Sequence, residues 1–302
     1  MKKTIFTTLL TALALILLSG YGYCANQIIT VSNTEELVKA IGSNREICIK
    51  NHITLTSEKQ SKPSNFGNKH VYWDEDFDGY TLCIKDVKNL KIKGSHGTEA
   101  QTQILATPRY AFVMKFENSR NITIEELTLG HTPAGECSGG VLSFKDCSNI
   151  NMKQAGLFGC GTDGLVLENV KNFKAVLIAI HNCTQLIMNI NNSSDILFEK
   201  CSFFDNTGYY SFAGINITGC KNVTFNKGYI ARNEGRYLFS EKGSSNIKVI
   251  DATLENNSFS ALEPKTFVIN YKNCNFGEGN SFMTDGFQIN KNGYYDGFTI
   301  SE

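Results

Sequence analysis

The 302-residue chain has four prolines, one tryptophan and no low-complexity stretch. With so little proline, 26 glycines and 41% hydrophobic residues, neither a proline-rich linker nor a disordered chain fits. Charge of either sign is not in excess, because 29 Lys and Arg balance 29 Asp and Glu. A neutral chain offers no electrostatic case for nucleic acid or an anionic membrane as partner. Ten cysteines occur without a single Cys-x-x-Cys, which removes the usual thiolate zinc site and redox pair. The leading apolar run, Phe6 to Leu18, falls short of the ~18 residues that span a bilayer. It follows Lys2 and Lys3 and ends in Gly22-Tyr23-Cys24 before Ala25, the layout of an export signal. The expectation is a signal peptide over 1–24 and one domain over 25–302, secreted, periplasmic or on the cell surface, with no stable membrane insertion after cleavage. Tyr23 stands where lipidation of Cys24 needs a small residue.

What the chain has in abundance is a repeat. The pattern is Asp, Asn or Gly, then a small residue, any residue, Asn, and two apolar residues separated by one position. It runs Asp86-Val87-Lys88-Asn89-Leu90-Lys91-Ile92, and recurs around Asn121, Asn149, Asn172, Asp195, Asn222 and Asn246. The steps between these positions are 32, 28, 23, 23, 27 and 24 residues. A fixed local pattern with variable spacing predicts a coil of constant circumference with loops inserted at corners. Upstream of each Asn, pairs such as Met114/Phe116 and Leu142/Phe144 alternate with polar residues; downstream, pairs such as Leu127/Leu129 and Ile178/Ile180 do the same. Strict alternation excludes helical repeats and gives three short strands per coil. Asn suits the tight turn because it tolerates the left-handed conformation and its amide can bond the amide one coil away. Eight to nine coils at about 4.8 Å predict a rod about 40 Å long. The fold expected is an all-β, right-handed parallel β-helix with an N-terminal capping helix. Asn33-Thr34-Glu35-Glu36 before Leu37, Val38 and Ile41 reads as that helix, ahead of first strands at Ile47–Ile49 and Ile53–Leu55. The tail from about Phe267 is expected to close the other end.

The Asn ladder, the three-strand coil and the capping helix resemble the pectate-lyase-like right-handed β-helix superfamily over roughly residues 30–276. Gly130-His131-Thr132-Pro133 to Cys137-Ser138-Gly139-Gly140, with Leu157-Phe158-Gly159-Cys160-Gly161-Thr162-Asp163-Gly164, is similar to bacterial secreted β-helix repeat proteins of uncharacterised role. The resemblance implies a polysaccharide ligand and brings no catalytic residues with it. Of the polygalacturonase signatures only Thr162-Asp163 is hinted at, and no Asp-Asp occurs.

Aligning the coils on the Asn stacks the residues expected to face outward on the third strand. Nine positions on come Gly130, Phe158, His181, Phe204, Ala231 and Glu255; ten on come His131, Gly159, Asn182, Asp205, Arg232 and Asn256; eleven on come Thr132, Cys160, Cys183, Asn206, Asn233 and Asn257. His181, Asp205 and Arg232 on this strip, with Asp163 in the Gly161-Thr162-Asp163-Gly164 turn, are the catalytic candidates. His181 is a candidate acid or base, and Asp163 a carboxylate to pair with Glu136 or Asp205 in glycoside cleavage. Phe158, Phe204, His131, Glu136, Tyr209 and Tyr210 are the substrate-binding candidates, with sugar rings stacked on the aromatics. No cofactor is implied; calcium is open at Asp74-Glu75-Asp76-Phe77-Asp78, where a solvated loop is the competing reading. Cys147, Cys201 and Cys220 read as buried free thiols. Cys160 with Cys183 or Cys137, and Cys48 with Cys83, are the pairs that spacing permits. Two functions follow: a lyase or hydrolase on extracellular polysaccharide, or a non-catalytic surface or adhesion protein binding glycan or a protein partner.

Overall fold

The computed structural model describes residues 27–55, 61–95, 102–132, 139–159, 161–207, 213–262, 269–282 and 294–295. The chain winds into a parallel β-solenoid with three ten-stranded sheets. One coil shows the pattern: Met114–Glu117 lies in sheet I, Arg120–Glu125 in sheet II and Leu127–His131 in sheet III. Each strand pairs in register with the equivalent strand one coil away, as in Met114↔Leu142↔Leu165↔Met188↔Ile215. The alternating apolar pairs of all three sheets point inward and are buried, including Phe116, Phe144, Ile124, Met152, Leu129 and Ile180. Burying each such side chain contributes roughly 1.5–3 kcal/mol, and its neighbours come from the coils above and below. A column of rings runs up the interior, with Phe116 on Phe144 and Phe198 on Phe225 at centroid distances of 5.1 and 5.0 Å.

The corner from sheet I to sheet II carries the predicted ladder. Asn89, Asn121, Asn149, Asn172, Asp195, Asn222 and Asn246 all have φ between 55 and 60°. Asn121 Nδ2 donates to Asn89 Oδ1 at 2.7 Å, Asn149 to Asn121 and Asn172 to Asn149 at 3.0 Å, Asn222 to Asp195 at 2.8 Å and Asn246 to Asn222 at 2.7 Å. Every bond points the same way along the rod. Asp195 has no N–H to pass on, so it accepts from Asn222 and donates nothing to Asn172. The ladder starts one coil earlier than the repeat pattern shows, at Asn44, which accepts from Asn89.

Asn33 caps the helix Thr34–Ala40 by accepting from the Glu36 N–H at 2.9 Å, while Glu36 Oε2 accepts from the Ser32 N–H at 2.7 Å. Its Leu37, Val38 and Ala40 join the core. The order differs from expectation at one point: a strand, Gln27–Val31, precedes the helix and forms the edge of sheet II against Arg45–Ile49. Its alternation is too short to stand out, and pairing with a later strand defines it. At the other end Tyr294–Tyr295 pairs antiparallel with Cys274 and Asn275, and most of the tail lies outside the described residues.

Candidate functional site

Strand pairing puts Phe158, His181 and Phe204 directly opposite one another on neighbouring strands of sheet III. Their rings stack: Phe158 and His181 lie 5.7 Å apart at 12°, His181 and Phe204 4.9 Å apart at 7°. The Arg232 guanidinium lies 5.7 Å over the Phe204 ring. At the other end, a Cβ on Gly130 would come within 2.2 Å of the Phe158 ring, so that ring occupies the space a side chain at 130 would fill. This corrects one expectation. Phe158 and Phe204 recur on the outside because each ring covers the next, and the faces awaited for a sugar are occupied by His181, Arg232 and the Gly130 backbone. What the column presents to solvent is ring edges and polar groups.

Those polar groups are ordered. The Asn182 side-chain oxygen meets His181 Nδ1 at 2.6 Å. Arg232 holds Asp205 by two bonds, Nε to Oδ1 at 2.6 Å and Nη2 to Oδ2 at 3.1 Å. That pairing keeps the Asp205 carboxyl below its ordinary pKa, with His181 a smaller contributor. Asn182, Asp205 and Arg232 share φ of 52–56° at the turn that ends sheet III, which carries their side chains outward. Beyond them Tyr229 donates to Glu255 across one coil. Strand parity places Tyr229 on the same outward face, two residues before Ala231, a signal the column alignment passed over.

The next position on is not outward. Cys183, Asn206, Asn233 and Asn257 are 0–4% exposed. The chain turns inward there, and the asparagines form a second, buried ladder. Asn206 Nδ2 donates to Asn233 Oδ1 at 2.8 Å, Asn233 to Asn257 and Asn257 to Asn280 at 3.0 Å; the same oxygens accept the backbone N–H of Asn206, Asn233 and Asn257, and Asn206 Oδ1 accepts that of Cys183. Asparagine satisfies a buried corner that apolar residues would leave with orphaned amides.

Asp163 opens a sheet I strand, Asp163–Glu168. Burial pushes its carboxyl up to about 6; it lies opposite Leu186 in sheet I, whereas Asp205 follows the sheet III strand Ser202–Phe204. His131 is 1% exposed with Nε2 on the Gly140 carbonyl at 3.0 Å, and burial lowers its pKa. It braces the corner through that contact instead of facing the strip. Glu136, Tyr209 and Tyr210 lie outside the described residues, as do Cys24, Cys137 and Cys160.

A family model described as a right handed beta helix region matches residues 113–282, more than half of the chain. The chain belongs to that family. No curated protein sequence matches it. Among solved structures, this β-helix protein is similar to a pectate lyase from Paenibacillus sp. 0602, with 10% identity over 82% of this chain and 77% of that one and a TM-score of 0.53. It is also similar to a protein of Geobacillus virus E2, with 14% identity, 82% of this chain, 53% of that one and a TM-score of 0.44. The β-helix protein thus spans about half the length of the viral chain. At these identities the likeness is one of fold.

Among the described residues, the cysteines of the β-helix protein other than Cys48 are buried small core residues. Cys147, Cys201 and Cys220 are buried free thiols, and burial pushes Cys147 and Cys201 up to about 11. Cys183 is also free and buried; Cys160, its expected partner, lies outside the described residues. Cys48 and Cys83 are free and sit on different sheets, II and I; Cys83 is buried beside Tyr72. The acidic run forms a hairpin, Val71–Asp76 against Gly79–Lys85. There Asp76 accepts from Thr81 at 2.8 Å, Asp78 from the Arg109 and Tyr110 N–H groups at 2.7 and 3.1 Å, and Asp74 pairs with Lys115 at 3.3 Å. Among the described residues no three His, Cys, Asp or Glu side chains converge as a metal site, and no helix is long and apolar enough to cross a membrane.

Proposed function

We propose that the protein is exported and binds or processes extracellular polysaccharide along the outer edge of sheet III. The observation that carries this reading is the ordered polar column His181–Asn182–Asp205–Arg232, backed by a stack of rings that fixes each side chain before any ligand arrives. Preorganised donors and acceptors spaced one coil apart suit an extended chain of hydroxyl-rich units. That a pectate lyase shares the fold agrees with a glycan ligand. In this reading sugars contact ring edges and polar groups, with His181 the group placed for proton transfer.

Asp163 supports a catalytic version. A carboxyl raised to about 6 by burial keeps its proton up to about pH 6, well above an ordinary aspartate, the direction a general acid for glycosidic cleavage needs. The competing version is a surface protein that holds glycan without reaction. A panel of acidic and neutral polysaccharides, with and without calcium, should be read for both retention and product release. Retention lost in His181→Ala and Arg232→Ala, with the fold intact, supports the strip. Product release lost in Asp163→Asn with retention kept makes the protein an enzyme. Unchanged behaviour of all three variants removes the assignment.

A further inference from the structure

The corner between sheets I and II has a second regularity. The residue before each ladder asparagine pairs in register from coil to coil: Lys88↔Arg120↔Ser148↔Lys171↔Ser194↔Lys221↔Ser245. From Arg120 onward, cation and hydroxyl alternate strictly. With coils about 4.8 Å apart, Arg120, Lys171 and Lys221 stand about 10 Å apart along a straight line. All three are exposed, and among the described residues none is within ion-pair distance of a carboxylate. Beside them runs the exposed Asn ladder. Each ladder amide spends one N–H on its neighbour and keeps a second, so Asn121, Asn149, Asn172, Asn222 and Asn246 offer a row of donors next to the cations. The field of the row is felt at Asp195, whose carboxyl is lowered first by the Asn222 amide and then, among other groups, by Lys171 and Lys221.

Folding does not require this alternation. Serine fills the position in three coils and a cation in four, Lys88 included, with the same backbone pairing, so the site tolerates either. A solvated face has no reason to place its charges every second coil. A ligand with its own period does.

We infer that the sheet I–II corner binds an anionic polysaccharide carrying one negative group per disaccharide, laid along the rod axis. Two coils match the length of a disaccharide in an extended chain. Each anionic group meets Arg120, Lys171 or Lys221, and the sugar between meets a serine hydroxyl and ladder amides. A polymer charged on every residue would set every second anion against Ser148 or Ser194, with Asp195 next to it. The inference rests on the reading that the ligand is a glycan, and places a separate surface for it away from the His181 strip.

Retention of the full-length protein should be compared on hyaluronan (one carboxylate per disaccharide), polygalacturonate (one per sugar) and dextran (none). The expected order places hyaluronan first, with binding that weakens as salt screens the row. Replacing Arg120, Lys171 and Lys221 together by Ser, the residue the other coils already carry, should weaken hyaluronan binding at least tenfold with the thermal unfolding curve unchanged. Ser148→Lys with Ser194→Lys should raise polygalacturonate binding toward that of hyaluronan. The strip variants His181→Ala and Arg232→Ala are read on the same three polymers. Equal binding of the two acidic polymers by the parent, no retention of hyaluronan, or a triple-Ser variant that binds as the parent overturns the inference. If the strip variants lose hyaluronan and the triple-Ser variant keeps it, the strip reading stands and the corner reading fails.

Discussion

Replacing Asn233 by Leu tests the reasoning behind the buried ladder. Asn233 is 0% exposed and has four ladder contacts. Its Nδ2 donates to Phe203 O at 2.9 Å and to Asn257 Oδ1 at 3.0 Å, and its Oδ1 accepts from Asn206 N at 3.1 Å and Asn206 Nδ2 at 2.8 Å. Two of those partners have alternatives: Asn206 Nδ2 also reaches Ile180 O at 3.2 Å, and Asn257 Oδ1 also accepts from the Asn233 backbone N–H at 3.1 Å. The Phe203 carbonyl keeps its place in the ladder against Ile230 and Ala231, but the Asn206 N–H has no other acceptor. Leucine would leave that donor buried and unpaired, so the variant should lose about 1–3 kcal/mol. That is a sizeable share of the roughly 5–15 kcal/mol of a typical domain. The control is Asn222→Gly on the exposed ladder. Glycine accepts the φ of 58° there without strain, and water replaces the lost amide contacts. Its cost should stay near about 1 kcal/mol. Urea unfolding of the parent and both variants, followed by the midpoint at matched slope, gives the comparison. A loss at Asn233 no greater than at Asn222 would refute the idea that the inner ladder is held by satisfying buried backbone groups.

Gly130→Ala should displace the Phe158 ring and destabilise by about 1–3 kcal/mol, since the added methyl overlaps the ring; an unchanged unfolding midpoint would show that the stack has slack. The Asp163 carboxyl has a raised pKa in the folded chain, so the folded state binds the extra proton between the ordinary carboxylate range and about 6. Its contribution to stability is therefore present at low pH and lost as pH rises through about 6. Asp163→Asn should flatten that slope and raise the melting temperature at pH 7 but not at pH 4; a parallel pH profile in the two proteins would contradict this. Cys147, Cys201 and Cys220 should resist alkylation at pH 8 in the folded protein and react once it is unfolded, as mass spectrometry of the labelled peptides would show. Labelling of these three at the rate of a free peptide thiol would mean that their corners open.

The sequence by itself determined the coil. Alternation at Met114/Phe116 or Ile122/Ile124 and the recurring Asn are local facts, and stacking coils is the one way to bury pairs that no single coil can bury. The exposed ladder, the capped helix and the line of Phe158, His181 and Phe204 were all legible on that basis, because in-register pairing turns equal distance from an Asn into adjacency in space. What the alignment could not decide was direction and cover. Asn206 and Asp205 are neighbours in sequence, yet one seals the core and the other meets Arg232 outside, since the left-handed turn at Asp205 swings the following residue inward. Whether a ring face is open depends on the coil above it: His181 closes Phe158, Arg232 covers Phe204, and Gly130 makes room at the end. The strand Gln27–Val31 and the start of the ladder at Asn44 likewise exist through pairing with residues many positions away. Contacts between coils are long-range by construction, so the sequence carries their period, and the tertiary structure alone sets which side of each residue is left for a ligand.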